Sequence, residues 1–117
     1  MSWFQIFLSQ EAKSYRAGET IFERGDPAEC MYVVADGEVE ISVGDQIVNV
    51  LGRESIFGEL ALIAKEPRSA TARARTDCRL VEIGEKRFLY LVHETPNFAL
   101  EVMRVLTARL RSHDPVT

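Results

Sequence analysis

The sequence predicts a mainly β fold, a jelly-roll-like β-barrel with flanking helices and a C-terminal helix pair. Two observations lead there. Between Ala17 and Gly84, short apolar stretches, several with a period of two, are cut at close intervals by turn signals. From Glu85 onward the turn clusters stop, apart from Thr95-Pro96-Asn97, and apolar residues recur at helical spacing. A chain of 117 residues suffices for one domain with one core.

The expected layout is a short helical segment over 1–16, the barrel over 17–84 and helices over 85–113. The apolar lead MSWFQIFLSQ runs into a polar patch, Ser9 to Ser14, that reads as a brief helix or turn. Thr20 to Glu23 alternate weakly, and Arg24-Gly25-Asp26-Pro27 is a turn by composition. Cys30 to Val34 is an apolar run that suits a buried strand, and Asp36-Gly37 is a hairpin signal. Val39, Ile41 and Val43 alternate with Glu38, Glu40 and Ser42. Gly44-Asp45 is the next turn, and Ile47, Val48, Val50 and Leu51 make a strand that ends at Gly52. Ala70 to Arg75 alternates small apolar residues with arginine, so Arg73 and Arg75 belong on a solvated face; Cys78 to Ile83 alternates again.

In the tail, Phe88, Leu89, Leu91 and Val92 fit one helix. Thr95 as N-cap with Pro96 at the first helical position opens a second. Positions 99, 103, 106 and 110 repeat like a heptad, widened by Phe98, Val102 and Val105. That stripe is expected against the barrel or a twin helix. Arg104, Arg109 and Arg111 suit the negative end of the helix dipole and are expected on its solvated face.

Composition excludes several functions. The net charge is 14 − 18 = −4, whereas gripping a nucleic-acid backbone needs clustered cations. No apolar run reaches membrane-spanning length, and the N-terminus has neither the basic start nor the cleavage site of a signal peptide. A cytoplasmic location follows as the expectation, with Cys30 and Cys78 as two semi-buried thiols. Both histidines, His93 and His113, fall in the helical tail. A serine-histidine-aspartate triad or a metal-holding barrel would need histidines among the strands. No Gly-rich nucleotide loop of the GxGxxG or Walker kind is present. The expectation is a non-enzyme with no catalytic residue, metal site or cofactor.

The chemistry concentrates in FGELALIAKEPRSATARA, Phe57 to Ala74. Phe57 and Leu62 read as core. Gly58 lets the backbone approach a ligand closely, and ELAL after it starts a short helix whose first N–H groups suit an anion. Arg68 offers a planar fork matched to two phosphate oxygens, on a turn stiffened by Pro67. Ser69 adds a hydroxyl and Ala70 leaves room. Glu59 would repel a phosphate unless the ligand carries a hydroxyl donor beside it, as the ribose 2′-OH of a 3′,5′-cyclic nucleotide does. The competing explanation is a Glu59–Arg68 salt bridge that closes a loop.

This stretch resembles the phosphate-binding cassette of cyclic-nucleotide-binding domains, as found in catabolite activator-type regulators, protein kinase A regulatory subunits and nucleotide-gated channels. The pattern is Phe57-Gly58-Glu59-Leu60-Ala61-Leu62 followed by Pro67-Arg68-Ser69-Ala70-Thr71, a cassette over 57–71. The resemblance spans roughly Ala17 to Arg111. It implies that Glu59 takes the ribose 2′-OH and Arg68 the cyclic phosphate. Gly58, Leu60 and Ala61 would offer backbone, and Ser69 and Ala70 would line the phosphate. It also implies that the last helix acts as a lid or relay, coupled to Phe88 and Leu89. The expected function is a sensing module for a cyclic nucleotide, cAMP first because Ser69 follows the arginine, cGMP second because a hydroxyl there also suits the guanine amino group. A scaffold that keeps the fold without the ligand is the alternative class. The N-terminal helical part is shorter than is usual in the family and no helix-turn-helix follows. Stand-alone module and piece of a larger protein both stay open, as does a homodimer or a fused effector through the last helix.

Overall fold

The computed structural model describes residues 3–8 and 11–112. In chain order it contains α1 (Gln5–Leu8), β1 (Lys13–Tyr15), β2 (Thr20–Phe22), β3 (Cys30–Asp36), β4 (Val39–Val43), β5 (Gln46–Leu51), β6 (Ile56–Phe57), α2 (Leu60–Ile63), β7 (Thr71–Ala74), β8 (Cys78–Gly84), α3 (Glu85–Glu94) and α4 (Pro96–Ser112). The strands form two four-stranded antiparallel sheets, ordered β1-β8-β3-β6 and β2-β7-β4-β5. The fold is mainly β and jelly-roll-like; the strands are divided between two facing sheets rather than joined into one closed barrel.

Two apolar clusters make this a three-layer structure. Between the sheets lie Phe22, Tyr32, Val34, Ile41, Phe57 and Leu80 among others. On the outer face of the β3-containing sheet, Met31, Val33, Val81 and Ile83 pack with Phe4, Phe7, Leu91, Phe98 and Val102 from the helices. That sheet is therefore covered on both faces, which is why β3 reads as a continuous apolar run: odd positions feed one cluster and even positions the other. The other sheet shows only one face to a core, so β4 and β7 alternate. In β7, Ala72 and Ala74 are buried while Arg73 is solvated, as expected.

Four expectations need correction. Part of the 1–16 segment is a strand, since Lys13–Tyr15 pairs with β8, Tyr15 opposite Cys78. Tyr15 is buried between the sheets, but three residues are too few to show a period. Ser9 and Gln10 lie outside the described residues, as does His113. Asp36-Gly37 is not a hairpin, because β3 and β4 belong to different sheets; the turn carries the chain across the sandwich. The Gly44-Asp45 turn does close a hairpin, Val43 opposite Gln46. Finally, α4 is rotated from the expected heptad. Phe98 and Val102 are buried with Val105 and Leu106 beside them, whereas Met103 is 61% and Leu110 73% exposed. Phe98 is the hub of this layer, with its ring centroid 5.4 Å from that of Phe7 and 5.9 Å from those of Trp3 and Phe88. Leu89 is 61% exposed, whereas Phe88 meets Phe98 of α4 edge-on.

Among the described residues no helix is long and apolar enough to cross a membrane. Among the glycines, the one at the crossing turn is the most closely packed. Gly37 has φ +86°, and a Cβ there would stand 2.4 Å from the Asp77 carbonyl and 2.7 Å from Cys78 Cα. At Gly44, φ +62°, a Cβ would meet nothing. Gly44→Ala is expected to cost about 1 kcal/mol, from left-handed backbone strain alone. Gly37→Ala should cost about 3 kcal/mol or more, because the clash is with main chain that cannot rotate away. Urea unfolding of the two variants checks the difference; equal costs would mean that the turn relaxes freely.

Candidate functional site

The site forms where β6 ends. Phe57 pairs with Tyr32 of β3, and Gly58 then turns the chain with φ +76°. Glu59 follows with no exposure at all, and α2 starts behind it. The turn of α2 is closed internally: the Ala61 N–H donates to the Gly58 carbonyl at 3.2 Å, and those of Leu62 and Ile63 to the Glu59 carbonyl at 3.1 Å. Leu60 is half-buried and Ala61 buried.

Arg68 reaches the same place from the loop before β7. The Arg24–Pro27 turn braces its backbone: the Arg68 N–H donates to the Asp26 carbonyl (3.0 Å), and its own carbonyl accepts from Gly25 N–H (2.8 Å). The side chain is only 6% exposed. One terminal nitrogen donates to the Gly58 carbonyl at 3.2 Å, the other to the Cys30 carbonyl at 2.7 Å. The guanidinium lies 4.0 Å from the ring centre of Phe22 and 5.6 Å from that of Tyr32. Its Nε finds no partner. Glycine at 58 is required by this arrangement, since a Cβ would sit 2.6 Å from the Arg68 terminal nitrogen. Ser69 is exposed and Ala70 fully buried.

The loop-closing salt bridge between Glu59 and Arg68 does not form; among the described residues Glu59 pairs instead with Arg109 of α4. Arg109 also donates to the Ile56 carbonyl at 3.1 Å and is 7% exposed. The solvated face expected for the α4 arginines holds for Arg104 and Arg111 and fails for Arg109. The signal was available: 98, 102, 105 and 109 follow one helical stripe, and three of the four are apolar. Burial pushes the Glu59 carboxyl above its ordinary range, while Arg109 first and Arg68 more weakly pull it back. Its Oε2 has no hydrogen-bond partner. A cleft of about 620 Å³ opens beside this pair, lined by Asn49, Leu51, Glu101, Val105 and Arg109 among others; Arg68 and Ser69 are not part of its wall.

The site thus presents a fixed cation with an unused N–H and a buried carboxylate with an unused oxygen. Such a pair offers a donor suited to an anion and an acceptor suited to a hydroxyl. Among the described residues, no group of three or more histidine, cysteine, aspartate and glutamate side chains is placed to hold a metal ion.

Comparison with known proteins shows the family. The profile of the cyclic nucleotide-binding domain family matches residues 12–95. The chain is 43% identical over 83 residues to the cAMP-dependent protein kinase regulatory subunit of Eremothecium gossypii, a match that covers 71% of this chain and 18% of that one. Its fold superposes on the catabolite activator protein of Thermus thermophilus with a TM-score of 0.81 at 31% identity, over 95% of this chain and 55% of that chain. It also resembles an EAL enzyme in its cAMP-bound form, with a TM-score of 0.65 at 34% identity, over 88% of this chain and 29% of that chain. The chain spans a quarter or less of the length of the curated relatives it matches. It belongs to the cyclic nucleotide-binding domain family.

The Glu59–Arg109 pair carries a pH signature. Without Arg109 the Glu59 carboxyl loses the larger of its two cationic supports, so its folded-state pKa rises further. A group with a raised folded pKa binds more protons folded than unfolded, so the variant gains stability as pH falls toward the ordinary carboxylate value. Arg109→Met is therefore expected to cost about 3–5 kcal/mol at neutral pH, the usual loss when one partner of a buried pair is removed. The cost should shrink steadily from pH 7.5 to pH 5. Urea unfolding at both values tests this, and a pH-independent loss would show that Glu59 is not the group left uncompensated.

Proposed function

We propose that the chain is a sensing module that binds a 3′,5′-cyclic nucleotide, cAMP in the first place and cGMP in the second, and passes occupancy on through α4. The observation that carries this reading is Arg68, a cation only 6% exposed that has no carboxylate partner among the described residues and keeps one N–H unused. A purely structural arginine would not be held this way, because burying a charge costs several kcal/mol unless something of opposite charge compensates it. The cyclic phosphate is that charge. Glu59 is the acceptor for the ribose 2′-OH through its unpartnered Oε2. Gly58, Leu60 and Ala61 supply close backbone, Ser69 adds its hydroxyl at the mouth, and Ala70 forms the floor of the phosphate site.

The relay follows from the same geometry. The carboxylate offered to the ribose is the one that holds Arg109, so the ligand and α4 share Glu59. The module is regulatory, works in the cytoplasm, and acts on an effector that α4 leads to or contacts. The competing reading, a scaffold that has lost its ligand, leaves the unused Arg68 donor and Glu59 acceptor without a purpose.

Calorimetry on the purified chain tests the reading, with cAMP and cGMP as ligands and AMP as control. Binding of cAMP without binding of AMP is expected. Arg68→Ala should lose at least tenfold in affinity while remaining folded, since charge-assisted hydrogen bonds contribute about 1.5–3 kcal/mol each. A variant that titrates like the wild type would sink the site assignment.

Hydrogen exchange tests the relay separately. Residues 98–111 are expected to gain protection on addition of cAMP, together with 57–71. Protection confined to 57–71 would mean a pocket that binds without engaging α4, because a ligand shifts a helix only if it binds one helix position better than the other.

A further inference from the structure

Cys30 lies against the guanidinium that the proposed function assigns to the phosphate. It is a free thiol, half-buried at the start of β3. Its Sγ stands 3.8 Å from the same Arg68 nitrogen that donates to its carbonyl. Arg68 itself is nine-tenths buried with Nε unpartnered, the mark of a site that awaits an anion. An oxyanion grown on Cys30 would therefore arise beside the cation that needs one, on the ligand's own ground.

We propose that Cys30 is a modification site at which hydrogen peroxide converts the thiol to a sulfinate, and that this sulfinate occupies Arg68 in place of the ligand's phosphate. The chemistry takes two equivalents of peroxide. In the first step the sulfur attacks one peroxide oxygen, the O–O bond breaks, the thiol becomes a sulfenic acid and water leaves. The second equivalent repeats the oxygen transfer to give the sulfinic acid and a second water. The acid loses its proton to solvent, and the anion stays next to Arg68. A thiol reductant returns the sulfenic stage but not the sulfinate, so the modification latches. Selectivity comes from the contrast with Cys78. That thiol is buried, and burial first, then Asp77, Glu19 and Asp36, push its pKa up, which keeps it protonated and unreactive.

The inference rests on the nucleotide reading for its consequence, and the test separates the two. Wild-type chain and Cys30→Ser are treated with hydrogen peroxide, mapped by peptide mass, and titrated with cAMP by calorimetry. In parallel, the Arg68 Nε–H resonance is followed by nitrogen-15 NMR. The expected result is two oxygens added at Cys30 before any at Cys78, a displaced Arg68 resonance, and at least tenfold weaker cAMP binding. Cys30→Ser should show the same affinity before and after peroxide, which separates the effect from oxidation of methionines. If Cys78 is oxidised while Cys30 is spared, or if Cys30 is oxidised with the Arg68 resonance in place, the proposal is overturned. If reduced wild type does not bind cAMP, the nucleotide reading falls, and the Arg68 resonance alone decides whether the sulfinate takes the guanidinium.

Discussion

A carboxylate with no exposure to water is the constraint around which this structure is arranged. Burying an ionised group costs several kcal/mol even after relaxation, so Glu59 must be given a cation or a proton. The cation that reaches it comes from fifty residues further along, on α4. The apolar anchoring of α4 is concentrated in its first half, where Phe98 and Val102 are buried. In the second half Thr107, Ala108, Leu110 and Arg111 are exposed, and Arg109 is the buried side chain. The C-terminal part of the helix is thus held to the sheets through Glu59 and the Ile56 carbonyl. A buried ion pair adds little net stability against an apolar replacement, but it tolerates no mismatch. It fixes where the helix sits more than how strongly it is held.

Arg68 meets the same cost differently. Its charge faces two backbone carbonyls and two aromatic rings, the nearer at 4.0 Å. Desolvated cation–π contacts contribute about 2 kcal/mol and charge-assisted hydrogen bonds about 1.5–3 kcal/mol. These offset part of the cost of placing a guanidinium in the interior and leave its charge without a neutralising anion. The fold keeps the two charges of the cassette on separate partners: among the described residues Arg68 forms no salt bridge, and Glu59 is tied to α4 through Arg109.

Much of the sandwich is written in the sequence because each sheet face imposes its own pattern. Val39 and Ile41 alternate with polar residues since their sheet has one core face; Cys30 to Ala35 do not, since theirs has two. The cassette was legible because its residues are contiguous and chemically unlike a generic loop. What stayed hidden depends on long-range placement. Lys13–Tyr15 is a strand only because β8 offers an edge. Asp36-Gly37 has hairpin composition, yet the partners of β3 are β6 and β8. The stripe of α4 admitted two phases, and the apolar residues at 103 and 110 outweighed Arg109. An arginine counts as polar in any periodicity, so a buried ionic contact at distance fifty leaves no local trace except its position in line with Phe98, Val102 and Val105.

The direction of the proposed signal follows from the coupling among three charges. Arg109 is the nearer support of the Glu59 carboxylate, and Arg68 adds a weaker pull in the same sense. A phosphate bound at Arg68 would cancel that second contribution. Glu59 would then depend more on Arg109, and any displacement of α4 that separates the pair would cost more than it does without ligand. A ribose hydroxyl on Oε2 works in the same direction, because a donor there stabilises the ionised carboxylate and so preserves the partner of Arg109. Neither contact requires the ligand to touch α4. Both would make the docked helix position the better-bound one, and that differential, rather than affinity itself, is the quantity that can move a population.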